Sequence, residues 1–145
     1  MRLERDATVD PGTHLPVCPT DDLVDRVHRQ LARDGGFTVD SRTGHRARSG
    51  FAVCADPGAT LSFARRDWER TVVARWVEAH RHHGSGRHVG GWCDPRTGRV
   101  VLDVVHVLPY AAAALARSLG RAHRQQAIFD LGARRLVCLD EGTAS

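Results

Sequence analysis

Apolar positions along the chain change period several times, and each change predicts an element. Val24, Val27 and Leu31 recur at helical spacing after Thr20, an N-cap residue type followed by Asp21 and Asp22. With Gly35-Gly36 as the stop, they predict a helix over 21–34. Gly36-Phe37-Thr38-Val39-Asp40 and Gly50-Phe51-Ala52-Val53-Cys54 alternate as strands do, and their similarity reads as two antiparallel strands joined by the polar segment 41–49. A short strand follows at 60–63. Asp67 then suits a second cap. Trp68, Val72 and Trp76, flanked by Val73 and Val77, predict a helix over 67–82 that ends at Gly84-Ser85-Gly86.

The second half reads the same way. Val89 to Cys93 and Arg99 to Val104 flank Asp94-Pro95-Arg96-Thr97-Gly98, a turn-and-bulge sequence that predicts a β-hairpin. Pro109 can open a third helix, with Leu108, Ala112, Leu115, Leu119 and Ala122 on one face. Gln126 to Asp130 and Arg135 to Leu139 form a last strand pair about Gly132. Hairpins separated by helices imply the α+β class: an antiparallel sheet built from hairpins with about three helices packed on it. Residues 1–19, with Pro11, Gly12, Pro16 and Pro19, read as an irregular N-terminal arm, and 20–145 as one domain.

Length agrees with a single domain: 145 residues suffice for one core. The longest apolar run, Val100 to Leu108, is broken by Asp103 and His106 and falls short of the roughly 20 residues of a membrane span. The first six residues, Met1-Arg2-Leu3-Glu4-Arg5-Asp6, lack the apolar core of a signal peptide, so a cytoplasmic location with no membrane partner is expected. Cys18, Cys54, Cys93 and Cys138 are widely spaced and are expected to be reduced, partly buried thiols.

Charge changes the picture less than its size suggests. All 21 basic residues are Arg, and the chain has neither Lys nor Asn, a pattern of very GC-rich genomes such as actinobacteria and their phages. Residues 80–135 nevertheless carry nine Arg against three Asp and six of the nine His. This half is therefore a candidate electropositive surface, with Arg87, Arg99, Arg121 and Arg124 as the candidate phosphate-binding residues.

Gly90-Gly91-Trp92, Asp94-Pro95-x-Thr97-Gly98, Val100-x-Leu102-Asp103-Val104 and Gln126-Ala127-Ile128-Phe129-Asp130-Leu131 together resemble small domains of actinobacterial phages and mobile elements. The earlier strands and Thr43-Gly44 fit the same pattern, so the resemblance spans about residues 34–140. It implies a phage or mobile-element origin and supplies no chemistry. The expectation is an accessory protein that acts by macromolecular binding, through a host or phage protein, in a host-modulating or counter-defence role. The alternatives are nucleic-acid binding or nuclease action through the 80–135 face, and a small zinc protein.

No phosphate-binding glycine loop or Ser-His-Asp signature is present, and no catalytic residue is assigned. His88, His106, Asp103, Arg87 and Arg99 fall near one hairpin and could supply a base, an acid and phosphate clamps. His80, His83, His88 and Cys93 are the weak zinc candidates; no cofactor is otherwise implied. No standard ligand spacing is matched, and solvation of a helix end is the preferred reading of those histidines. Turn geometry accounts for the repeated Asp-x-Arg-Thr-Gly at 40–44 and 94–98. Asp103 reads as a strand residue facing solvent, and Trp68, Trp76 and Trp92 read as core.

Overall fold

The computed structural model describes residues 17–81 and 87–139. Over these the chain forms α1 (Thr20–Asp34), β1 (Gly36–Asp40), β2 (Phe51–Cys54), β3 (Leu61–Ala64), α2 (Arg70–His80), β4 (Arg87–Cys93), β5 (Arg99–Leu108), α3 (Ala113–Ala122), β6 (Ala127–Asp130) and β7 (Arg135–Cys138). All strands join one antiparallel sheet in the order β1-β4-β5-β2-β6-β7, and β3 pairs with β5 beside the end of β2. The fold is therefore α+β. No helix among the described residues is long and apolar enough to cross a membrane.

The long strand β5 organises the sheet. Its even residues Val100, Leu102 and Val104 are fully buried against Leu23, Val24, Val27 and Leu31 of α1 and Val73, Trp76 and Val77 of α2. Each such side chain contributes roughly 1.5–3 kcal/mol on burial. Val53 lies on the same face of the sheet, opposite His106, and packs with Ala116 of α3, Ile128 and Leu139. Among the described residues all three α-helices thus cover one face, and β5 alternates between that layer and the opposite, inner face. Leu102→Ala removes the centre of this layer. It is expected to cost about 3 kcal/mol, read from urea unfolding; a loss below about 1 kcal/mol would mean that the layer repacks.

Several expectations are corrected. The near-repeated strands β1 and β2 do not pair with each other: β1 pairs with β4, and β2 lies between β5 and β6. The segment between them instead folds back on the outer edge of β1, where Arg46 bridges Val39 and the Ala47 N–H donates to the Thr38 carbonyl. Thr20 is already helical and Pro19 holds the cap position. Asp67 closes a short 3-10 turn, so α2 begins at Arg70. Val72 faces outward at 39% exposure.

The α3 face is rotated by one residue. Leu115 is exposed, while Ala116 and Gly120 are buried. A Cβ on Gly120 would overlap Leu139 and Ile128, so the small residues let α3 sit close to β6. The hairpin turn is as expected: Gly98 adopts φ 71° and the Asp94 carboxylate accepts the Arg96 N–H. Its counterpart repeats the device, Asp40 accepting the N–H groups of Arg42 and Thr43.

Residues 1–16 of the expected arm, and His82 to Gly86, lie outside the described residues. The arm's last residues are held. Cys18 is buried and its N–H donates to the Arg42 carbonyl at 2.7 Å.

Candidate functional site

The inner face of the sheet curls into a cavity of about 170 Å³. The Arg134 guanidinium, in the turn between β6 and β7, reaches the Asp34 carboxylate just before β1 at 3.5 Å, although four strands separate β1 from β7 in the sheet order. Arg46 pairs with the same carboxylate at 3.4 Å. These contacts draw the two ends of the sheet together over its middle.

Register decides what lines the cavity. Thr38, Gly90 and Asp103 sit side by side on β1, β4 and β5, with Val105 one step along on the same face. Phe129 of β6 and Leu136 of β7 are themselves partners and close the other side with Leu131. Trp92 lines the opening at 41% exposure and Leu136 at 58%. The glycine pair of β4 has two jobs. The Phe37 ring covers Gly91 where a Cβ would stand, on the helix side. On the inner side Gly90 leaves room beside Asp103: a Cβ there would press on the Val105 side chain at 3.3 Å and touch the Phe37 carbonyl and the Thr38 hydroxyl at 3.6 and 3.7 Å.

Asp103 is the carboxyl of this floor. It stands where β2 has ended and β3 has not begun, so the residue opposite it is Thr60, whose hydroxyl donates to Oδ1 at 2.6 Å. Burial pushes its pKa above the usual carboxylate range, and the Thr60 hydrogen bond pulls the other way. Cys54 lies on the same face. Burial raises its thiol first, and the nearby Asp103 charge raises it further. A partly desolvated carboxyl on the inner face of a sheet is costly to stability.

Two guanidiniums, Arg46 and Arg134, and two carboxyls, Asp34 and Asp103, line the cavity. Arg33, Arg46 and Arg134 share the single carboxylate of Asp34, whose pKa is held low by the Arg33 hydrogen bond first and by the charges of Arg134 and Arg46. Arg99 lies on the same inner face and donates to Ser62 at 3.0 Å.

The sequence-level candidates are dispersed by the fold. Arg87 pairs with His106 at one end of the β4–β5 ladder and faces the helices; Arg99 starts β5 at the other end and faces inward. Seven residues of strand separate Arg99 from His106, roughly 23 Å. Arg121 and Arg124 are exposed at the end of α3, Arg124 at φ 59°. His106, His123 and Arg87 do gather on the helix side. Burial first, then Arg87 and His123, lower the His106 pKa. The His123 Nδ1 bonds the Cys54 carbonyl at 2.6 Å.

The zinc candidates separate. His80 ends α2 with its ring against Trp76, His88 and Cys93 point to opposite faces of β4, and His83 lies outside the described residues. Trp76 is core as expected, with its Nε1 donating to the Ala59 carbonyl at 2.7 Å, whereas Trp92 is not. Asp103 is half-buried on the inner face beside the cavity, and its signal was present: a lone acid inside the apolar run of β5.

Sequence reasoning missed the cavity because Phe129, Leu131, Arg134 and Leu136 reach it only through β2–β6 pairing and sheet curl. Comparison with protein-family models, curated proteins and solved structures returns no match to this chain.

Proposed function

We propose that the protein is an accessory binding protein that holds a macromolecular partner by inserting one ring-sized group of that partner into the inner-face cavity. The observation that carries the reading is the cavity itself: about 170 Å³, apolar walls, one desolvated carboxyl, an exposed tryptophan at the opening. Drug-sized ligands occupy roughly 300–1,000 Å³, whereas an aromatic ring fits a cavity of about 150 Å³. The volume therefore suits a single side chain or base projecting from a larger molecule. The resemblance of residues 34–140 to phage and mobile-element domains supports an accessory role, host-modulating or counter-defence.

Gly90→Val tests the reading, because it fills the cavity from a strand position whose backbone tolerates a side chain. Immobilised wild-type and variant protein are exposed to the same lysate of a high-GC bacterium, after thermal melts establish that both are folded. The expected result is a macromolecule retained by wild type and lost with Gly90→Val. Identical retention by the two would sink the cavity as the binding site.

A further inference from the structure

We infer that the occupant is single-stranded nucleic acid, with a guanine base in the cavity and its donor edge on Asp103. The inference rests on the cavity reading above and names the partner of that same site.

Three features of the site converge on a base attached to a phosphodiester chain. The volume matches one planar ring system. Trp92 stands half-exposed at the opening, where an indole face provides the stacking platform that single-stranded nucleic-acid binders use. Two guanidiniums, Arg46 and Arg134, stand at the cavity, and Arg99 lies further along the same face. These cations complement backbone phosphates, which need no particular sequence to bind.

Asp103 supplies the choice among bases. A carboxylate only accepts hydrogen bonds, and Thr60 occupies one position on Oδ1, leaving the rest of the group facing the space beside Gly90. Guanine presents two adjacent N–H donors on its Watson–Crick edge, matching two carboxylate oxygens. Adenine and cytosine place a ring nitrogen acceptor beside their amino group, so one oxygen would meet a lone pair. Thymine and uracil flank a single N–H with two carbonyls. With a base filling the cavity, the half-buried Asp103 acceptor left facing another acceptor discriminates, because the base keeps water from either group. A peptide aromatic of the same size offers no such paired donors, and its chain offers no regular negative charge to the arginines.

The test uses fluorescently labelled single-stranded dT oligonucleotides carrying one central dG, dA or dC, followed by anisotropy across a salt series. Wild type is expected to bind the dG oligonucleotide roughly tenfold or more tighter than the others. Affinity for all of them should fall with salt. Asp103→Asn replaces one acceptor by a donor and should erase the dG preference while leaving the salt slope unchanged. Arg134→Ala and Trp92→Ala should weaken every oligonucleotide by similar factors and preserve the preference. That split separates base reading from a general loss of fold.

Equal binding of all oligonucleotides, or none, overturns the inference. If no oligonucleotide binds while Gly90→Val still abolishes retention of a protein from lysate, the partner is a protein and the cavity reading survives. If Gly90→Val changes nothing either, both fall.

Discussion

Arg81→Met is expected to destabilise the protein by about 3–5 kcal/mol, a large share of the roughly 5–15 kcal/mol that a domain of this size possesses. Arg81 follows α2 and is only 2% exposed, yet it spends its guanidinium on main chain. It donates to the Cys18 carbonyl, to the Arg42 carbonyl at 3.1 Å and to the Thr20 hydroxyl at 2.9 Å. Thr20 in turn donates to Glu78. The Arg81 carbonyl accepts the hydroxyl of Ser41, itself fully buried.

One side chain therefore fastens the start of α1, the turn after β1 and the end of α2. Methionine preserves most of the volume and none of the donors. The Cys18 carbonyl would be left without its donor, the Arg42 carbonyl would keep only the Cys18 N–H, and each lost hydrogen bond to the charged guanidinium costs about 1.5–3 kcal/mol. Urea unfolding followed by tryptophan fluorescence measures the loss. Arg81→Lys should recover only part of it, since an ammonium cannot span acceptors on separate segments as the planar fork does. A loss below about 1 kcal/mol for Arg81→Met would show that the three segments are held by the apolar layer alone.

Arg81 also illustrates what the sequence shows and hides. Its neighbourhood reads as a histidine- and arginine-rich helix end, so solvent is the natural expectation for every charge there. Burial at this position follows from α1 and the β1 turn closing over it, which no local pattern encodes. Strand existence is legible for the same reason that strand partners are not. The alternation of Gly36–Asp40 and Phe51–Cys54 marks them as strands, and three consecutive residues of each are buried, so both faces are covered whichever strand lies alongside. Their similarity suggested mutual pairing, but the hairpin β4–β5 has the stronger local signal and takes the centre of the sheet, leaving β1 and β2 on opposite sides of it.

The third helix shows a different limit. A helical pattern scores large apolar residues, whereas α3 packs through Ala116 and Gly120 because close approach to Ile128 requires small ones. The candidate site was visible only as oddities: an acid within an apolar run, a doubled glycine in a strand, and a tryptophan beside it. The sheet register makes them neighbours.

Asp103→Asn is expected to raise the melting temperature at pH 7.5 while it removes base discrimination, and the pH dependence of the gain identifies its cause. Asn keeps an oxygen to accept the Thr60 hydroxyl and carries no charge to desolvate. The Asp103 pKa is raised in the folded protein, so the native state holds its proton at pH values where the unfolded chain has released it. Stability from this group is then fully present below the unfolded value, about 4, and is lost as pH rises through the elevated folded value. The advantage of Asp103→Asn should therefore be full near neutrality and shrink towards nothing as pH falls to about 4.

The other shifted aspartates run the opposite way. Hydrogen bonds from Arg70, from the Arg96 N–H and from the Tyr110 hydroxyl hold the carboxyls of Asp25, Asp94 and Asp130 below their usual range. Their contributions are present above about pH 4 and disappear in stronger acid. His106, its pKa lowered mainly by burial, adds a loss that begins as pH falls below about 6.5. An Asn substitution at Asp25, Asp94 or Asp130 should thus lower stability at pH 7.5, and only Asp103→Asn among the four should raise it.

Around Asp103 stand the Cys54 thiol, kept neutral by its raised pKa, and the charged Asp34, Arg46 and Arg134 of the cavity lining. Since the arginines are already engaged with Asp34, neutralising Asp103 leaves no cation stranded. A gain in stability from Asp103→Asn is what the proposed base-reading role of this carboxyl predicts, since a group held for binding need not favour the fold. If Asp103→Asn melts no higher than wild type at pH 7.5, the cavity floor is solvated well enough to carry its charge freely. The desolvated acceptor that would select guanine would then be absent.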